Sequence, residues 1–149
     1  MISLGRSRHR DDAGQVSLLI VGFVAILVLL IGVVVDASAA FLQRAGLNSL
    51  ADAAALAATD GLQGDQVYLH GLGERAKIDP RRAAAYAGEY LAASGARETY
   101  PGIRSVVSVT NDTVNVHLSA SLRLPIPIPG VGSRAQITAD AASVVLITP

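Results

Sequence analysis

The sequence predicts an α+β fold, in which a long N-terminal transmembrane helix continues into a small domain with a second helix and a three-stranded antiparallel sheet. Three observations predict it: an uncharged apolar run near the N-terminus, a helical pattern of small residues after it, and alternating strands in the last third of the chain. The predicted segments are a basic tail (1–12), a transmembrane helix (13–36), its continuation (37–60), a glycine-rich loop (61–78), and a helix with the sheet (79–149).

The composition excludes several classes of function. The chain of 149 residues has no cysteine, which excludes disulfides, thiolate chemistry and cysteine-based zinc sites. Its 12 basic and 12 acidic side chains are scattered along the chain and sum to zero net charge, so the sequence shows no electrostatic footprint for nucleic acid. Apolar residues make up 51% and charged residues only 16%, an excess that one membrane helix would supply.

The apolar run at residues 13–35 contains no charged side chain, and Ser17 is its only polar side chain after Gln15. As a helix, these 23 residues would span about 34 Å, whereas the hydrocarbon core of a bilayer is about 30 Å thick. A buried core helix would be shorter and would show a polar stripe. The run is therefore predicted to cross a membrane once.

The charges that flank the apolar run predict its orientation. Arg6, Arg8 and Arg10 precede it, and the first basic residue after it is Arg44. Because basic residues are retained on the cytoplasmic side, we expect a cytoplasmic N-terminus and an extracytoplasmic C-terminal domain in the cell membrane.

Two kinds of processing would remove the anchor. A signal peptidase would cut after Ala39, since Ala37-Ser38-Ala39 is a small-x-small site, but the apolar run is too long and Asp36 is adjacent. A prepilin-type leader would end at Gly14, but the fifth position after it is Leu19 where glutamate is usual. A retained anchor is the favoured interpretation, and a secreted small α+β binding domain released after Ala39 is the alternative.

The helix is predicted to continue to about residue 60, because no proline interrupts 37–59 and Gly46 is the only weak point. One face of this continuation is rich in small residues, so it is predicted to pack closely against the protein's own sheet or against a partner helix. Asp36 is either the first residue to reach the outer interface or the partner of a cationic group on another protein. The predicted packing stripe is Ala39, Leu42, Gly46, Leu50, Ala53 and Ala57.

The segment 60–78 has four glycines and no helical period, which predicts a loop. Asp79 and Pro80 are typical of an N-cap and first helical residue, and Gly95 is typical of the position just after a helix C-terminus. The second helix is therefore predicted between them, with its core face formed by Ala83, Ala87, Tyr90, Leu91 and Ser94.

The last third of the chain alternates apolar and polar residues, which predicts strands. The predicted strands are 103–110, 113–124 and 135–148, and a tight turn at Asn111-Asp112 joins the first two. A proline-rich extended segment follows the second strand. The alternation slips near Ala142, which predicts a bulge that returns Val144 and Leu146 to the face of the odd-numbered residues.

Catalytic chemistry is not predicted. His9, His70 and His117 lie in three different predicted segments, no two of them at metal-ligand spacing, and no nucleophile, acid and base converge. The sequence therefore predicts neither an enzyme nor a site for a metal, cofactor or small-molecule substrate.

Residues 14–58 carry a more specific pattern. Gly14 leads into the apolar helix, Val35-Asp36 ends it, and Gln43-Arg44 precedes an alanine-rich block at 48–57 that contains Asn48 and Asp52. This pattern resembles the N-terminal segment of the TadE/TadG-like proteins of the tight-adherence (Tad, Flp-type) pilus machinery. An amphipathic helix on a small antiparallel sheet is also the general plan of pilins.

The resemblance implies a membrane-anchored component of the bacterial cell envelope. Such a component would be a pilus assembly protein or a minor pilin-like subunit, and it would act by packing its helix and sheet against other pilus or secretion proteins. No catalytic position is implied by the resemblance.

Overall fold

The computed structural model describes residues 11–70, 78–126 and 135–145, and it describes the side chains of the first range from 14 to 64. Residues 1–10 of the predicted basic tail, residues 71–77 of the predicted loop, and residues 127–134, which include most of the proline-rich segment, lie outside the described residues. The chain divides into two compact units, Met1–Ser38 and Ala39–Pro149, which are called the first and the second unit below. The elements are α1 (Asp11–His70), α2 (Pro80–Ala93), α3 (Ala96–Thr99), β1 (Arg104–Thr110), β2 (Thr113–Ser121) and β3 (Gln136–Val144), which confirms the predicted α+β class.

In the first unit, α1 is long and apolar. It contains an 18-residue stretch with a mean hydropathy of 3.4, no part of which is buried against protein. Side chains such as Leu18, Phe23 and Leu29 are exposed along it. By length and composition this helix qualifies to cross a membrane.

In the second unit, α1 buries a face made mainly of alanine. Because alanine has only a methyl group beyond the backbone, a helix with this face can lie close to a sheet without a bulky layer between them. The buried positions follow helical spacing, and they are Leu47, Ala51, Ala54, Ala55, Ala58, Thr59 and Leu62.

The structure extends α1 to His70, so residues 61–70 are helical rather than part of the predicted loop. Leu62 is buried in the core and stabilises this extension. Gly61 lies beneath the ring of Tyr86, and an added Cβ would be 2.6 Å from the ring's Cγ. The glycine that suggested a loop is therefore a packing position, where the loss of helix propensity is offset by close contact.

The sheet is an antiparallel meander in the order β1-β2-β3. The central strand alternates buried and half-buried residues along its length, as its sequence predicts. Asn111 has φ 55° in the two-residue turn between β1 and β2, which confirms the predicted tight hairpin. The buried face of β2 consists of Val114, Val116, Leu118 and Ala120.

The predicted bulge at Ala142 is wrong. The register of β2 with β3 is continuous, and Ser143 lies opposite Val114. Ser143 therefore stays on the buried face, where its hydroxyl lies 3.0 Å from the Thr59 hydroxyl on α1. Val144 is left exposed on the outer face, and Leu146 lies outside the described residues. The slip in the apolar pattern arises because a helix hydroxyl satisfies an inward-facing serine.

The second helix is confirmed at both ends. The Asp79 carboxylate accepts a hydrogen bond of 2.9 Å from the Arg81 amide, and Gly95 is left-handed with φ 66°. The predicted core face of this helix is confirmed except at Ser94, which is exposed. Ser94 is the C-cap residue, and its hydroxyl donates a hydrogen bond to the Leu91 carbonyl. The short helix α3 was not predicted. The residues of α2 that are buried are Ala83, Ala87 and Leu91, and Tyr90 packs beside them.

Candidate interaction site

The predicted packing stripe lies beside the buried face of α1 rather than at its centre. Leu42 is 68% exposed, and the other five stripe residues are half-buried. The centre of the buried face, from Leu47 to Ala58, is offset from the stripe by one residue along the helix. Sequence reasoning missed this because both faces repeat small residues at spacings of three and four, and alanine gives no size signal to separate them.

Large apolar side chains remain exposed on α1 within the second unit. Phe41 is 72% exposed, Leu42 is 68% exposed and Leu56 is 56% exposed. Leu42 and Leu56 are 14 residues apart, which places them on nearly the same side of the helix. Between them, Ala45 and Ser49 are exposed and Ala53 is half-buried, so small residues leave this side of the helix accessible to another chain.

Gly46 is the point at which another element approaches α1 most closely. The Tyr100 hydroxyl lies over its Cα, and a Cβ on Gly46 would overlap that oxygen. The same hydroxyl donates a hydrogen bond of 3.4 Å to the Gln43 carbonyl. Glycine at this position is therefore required by the chain's own packing, while the flanking stripe remains partly accessible.

Gln43 ties α1 to the segment that leaves β2. Its side-chain Nε2 donates to the Arg123 carbonyl, and its Oε1 accepts a hydrogen bond of 3.0 Å from the Arg123 amide. These two hydrogen bonds are called the Gln43–Arg123 clasp below. Sequence reasoning quoted Gln43 in a motif without assigning it a contact, because only the fold brings residues 80 positions apart together.

The remaining predicted site residues are spread along α1. Gly14, Asn48 and Asp52 are exposed. Asp36 is 8% exposed at the end of the apolar run, whereas Val35 and Ala37 beside it are exposed. Pairing of Asp36 with a cationic group of another protein stays a prediction.

The outer face of the sheet carries a pair of titratable side chains, His117 and Asp140. His117 lies half-buried on the polar face of β2, and its Nδ1 lies 2.6 Å from an Asp140 carboxylate oxygen across the β2–β3 pair. The pair borders a shallow concavity of about 280 Å³. Sequence reasoning missed the pairing because it follows from strand register. Among the described residues, no group of three histidine, cysteine, aspartate or glutamate side chains is placed to hold a metal ion.

Comparison with known families brings these observations together. Residues 14–61 match the family described as Tad, putative Flp pilus-assembly TadE/G-like. The chain carries a TadE/G-like segment. This confirms the resemblance predicted for residues 14–58. No curated protein and no solved structure matches the chain.

The TadE/G-like segment contains the apolar run, Gln43 and the two close-packing glycines, Gly46 and Gly61. It ends before α2 and the sheet. The match and the long apolar helix together support a role in pilus assembly.

Proposed function

We propose that the protein is a membrane-anchored pilus assembly component or minor pilin-like subunit, which acts by packing α1 and its sheet against other pilus or secretion proteins. The observation that carries the proposal is the TadE/G-like match over residues 14–61, whose first half is an exposed apolar helix. Such a helix is stable when lipid or another helix surrounds it.

The proposed topology places the N-terminus in the cytoplasm and the second unit outside the membrane. It rests on the arginines before the apolar run and their absence directly after it.

The proposed contact surface is the accessible side of α1 that carries Leu42 and Leu56. Two exposed leucines with small residues between them suit the face of a partner helix, because large side chains anchor the contact and small ones admit the partner's backbone. Asp36 is proposed as a second contact, with a cationic group of the partner.

Single-cysteine crosslinking tests this surface, since the chain has no native cysteine. The variants Leu42→Cys and Leu56→Cys are expressed in piliated cells, with Glu89→Cys on the exposed side of α2 as the matched control. We expect both leucine positions to form adducts with pilus proteins under a short crosslinker, and the control to form few. Equal labelling at all three positions would contradict the proposed surface.

The mature N-terminus tests the anchor separately. Mass spectrometry of the membrane fraction is expected to find a chain that still contains residues 14–35. A chain that begins near Ala40 would instead support the released domain.

A further inference from the structure

The Gln43–Arg123 clasp fixes one end of the sheet against the turn of α1 that follows the apolar run. Arg123 lies two residues beyond the end of β2, and the first residue of β1, Arg104, pairs with Ser119 near that same end. The Asn111-Asp112 turn lies at the opposite end, where the Val145 amide donates a hydrogen bond of 2.8 Å to the Asp112 carbonyl. The second unit therefore has a clasp end and a turn end.

Apolar side chains are exposed at the clasp end. Phe41 and Leu42 precede Gln43 directly, and Ile126 follows Arg123 by three residues and is 44% exposed. Three residues span at most about 11 Å, so Ile126 stays near the clasp. Large apolar side chains exposed at one end of a domain are typical of a surface that meets a partner or a membrane.

Exposed arginines predominate at the clasp end. Arg44, Arg104 and Arg123 are exposed at the clasp end, and α3 adds one charge of each sign, Arg97 and Glu98. At the turn end, Asp112 is exposed. Asp60 lies near the turn end, because its neighbour Thr59 contacts Ser143 in that part of the sheet, and Asp60 is exposed as well.

We propose that the clasp end of the second unit rests on an anionic phospholipid surface, with Phe41 and Ile126 at the level of the headgroups and Arg44 and Arg123 on lipid phosphates. The proposal rests on the proposed membrane anchor. Phe41 follows Asp36 by five residues, a length of at most about 18 Å, so the clasp end is tethered beside the bilayer. Apolar side chains flanked by arginines are the chemistry that binds such a surface.

The proposal assigns the clasp a function. By holding residues 122–126 against α1, it would carry a segment distant in sequence to the lipid surface. One turn of α1 and one strand end would then contact the bilayer together.

Single-tryptophan fluorescence tests the proposal, because the chain has no native tryptophan. The full chain is reconstituted into vesicles of brominated phosphatidylcholine, with or without phosphatidylglycerol. Ile126→Trp is the test position, Leu27→Trp reports the anchor, and Val144→Trp is the matched control, an exposed valine at the turn end.

We expect Ile126→Trp to be quenched by the brominated chains at least about twofold more than Val144→Trp, and more strongly with phosphatidylglycerol. Equal quenching of these two variants, while Leu27→Trp is quenched, would overturn the lipid contact and leave the anchor intact. An unquenched Leu27→Trp would overturn both.

A second variant tests the charge. The variant Arg44→Gln/Arg123→Gln is made in the Ile126→Trp background. It keeps both hydrogen bonds of the clasp, because Gln43 bonds to the backbone of residue 123. We expect the phosphatidylglycerol-dependent part of the quenching to disappear and the part seen in phosphatidylcholine to remain. Undiminished dependence on phosphatidylglycerol would overturn the role of the two arginines.

Discussion

The two parts of α1 use hydrophobic side chains in opposite ways. In the first unit, valine, leucine and isoleucine dominate, and they are exposed along the helix. In the second unit, alanine dominates the buried face of α1, which also holds Leu47 and Leu62, whereas Phe41, Leu42 and Leu56 are exposed. The comparison teaches that hydrophobicity alone does not decide which part of α1 packs against the protein's own sheet, because the part that does so has a face composed mostly of alanine. Alanine lets the helix and sheet approach closely, whereas an unbroken run of bulky side chains requires another environment.

The largest expected effect concerns the first part. The double variant Val24→Arg/Val28→Arg places two charges near the centre of the apolar run. Each arginine raises the free energy of membrane insertion by about 2.5 to 3.5 kcal/mol, and the two together raise it by about 5 to 7 kcal/mol. We expect most of the chain to be lost from the alkali-resistant membrane fraction. Val24→Leu/Val28→Leu is the matched control and should remain in that fraction. Full retention of the arginine variant would show that the run is shielded by protein rather than lipid.

The second prediction compares two leucines five residues apart on α1. Leu47 is fully buried and Leu42 is 68% exposed. Leu47→Ala should lower the free energy of unfolding of the second unit by about 2 to 5 kcal/mol, because it removes contacts and leaves a cavity. Leu42→Ala should change it by less than about 0.5 kcal/mol.

Pulse proteolysis of the full chain in detergent, over a series of urea concentrations, measures both leucine variants. Because the two substitutions are chemically identical, their difference reports burial alone. Comparable destabilisation by Leu42→Ala would mean that this side chain is packed within the protein, which would remove it from the proposed contact surface.

The third prediction compares two glycines near the C-terminus of α1. Gly64 has open space around it, so Gly64→Ala should stabilise the helix by about 0.5 to 1 kcal/mol. Gly61→Ala should instead destabilise the second unit by about 1 to 3 kcal/mol, because the new methyl group overlaps the Tyr86 ring. The double variant Gly61→Ala/Tyr86→Ala tests the cause. It should lose no more stability than Tyr86→Ala alone in the same proteolysis assay.

Much of the second unit could be predicted from the sequence, because local signals coincide with tertiary structure there. Asp79, Pro80 and Gly95 bound α2, and Asn111 makes the hairpin turn that its sequence predicts. The errors occur where a distant residue changes the meaning of a local one. Gly61 is helical because of Tyr86, and the inward-facing Ser143 is satisfied by Thr59.

The candidate site was less predictable than the fold. The apolar run and the TadE/G-like segment were visible in the sequence. The Gln43–Arg123 clasp and the His117–Asp140 pair were not, because helix-to-strand contacts and strand register determine them. The predicted stripe runs beside the helix's core face, because small residues surround most of α1 in this part and periodicity alone cannot rank two apolar faces of equal size. Its packing against a partner helix stays a prediction.

The smallest expected effect concerns the hydroxyl pair that joins α1 to β3. The Thr59 hydroxyl lies 2.8 Å from the Leu56 carbonyl oxygen and 3.0 Å from the Ser143 hydroxyl, and either hydroxyl can donate the bond that joins them. Ser143→Ala removes that bond but leaves Thr59 satisfied within its helix, so the free energy of unfolding should fall by only about 0.5 to 1.5 kcal/mol. Thr59→Ala also takes a methyl group from the core and should cost more. A neutral or stabilising Ser143→Ala would show that the apolar pattern, rather than the hydroxyl pair, sets the register of β3 against the helix.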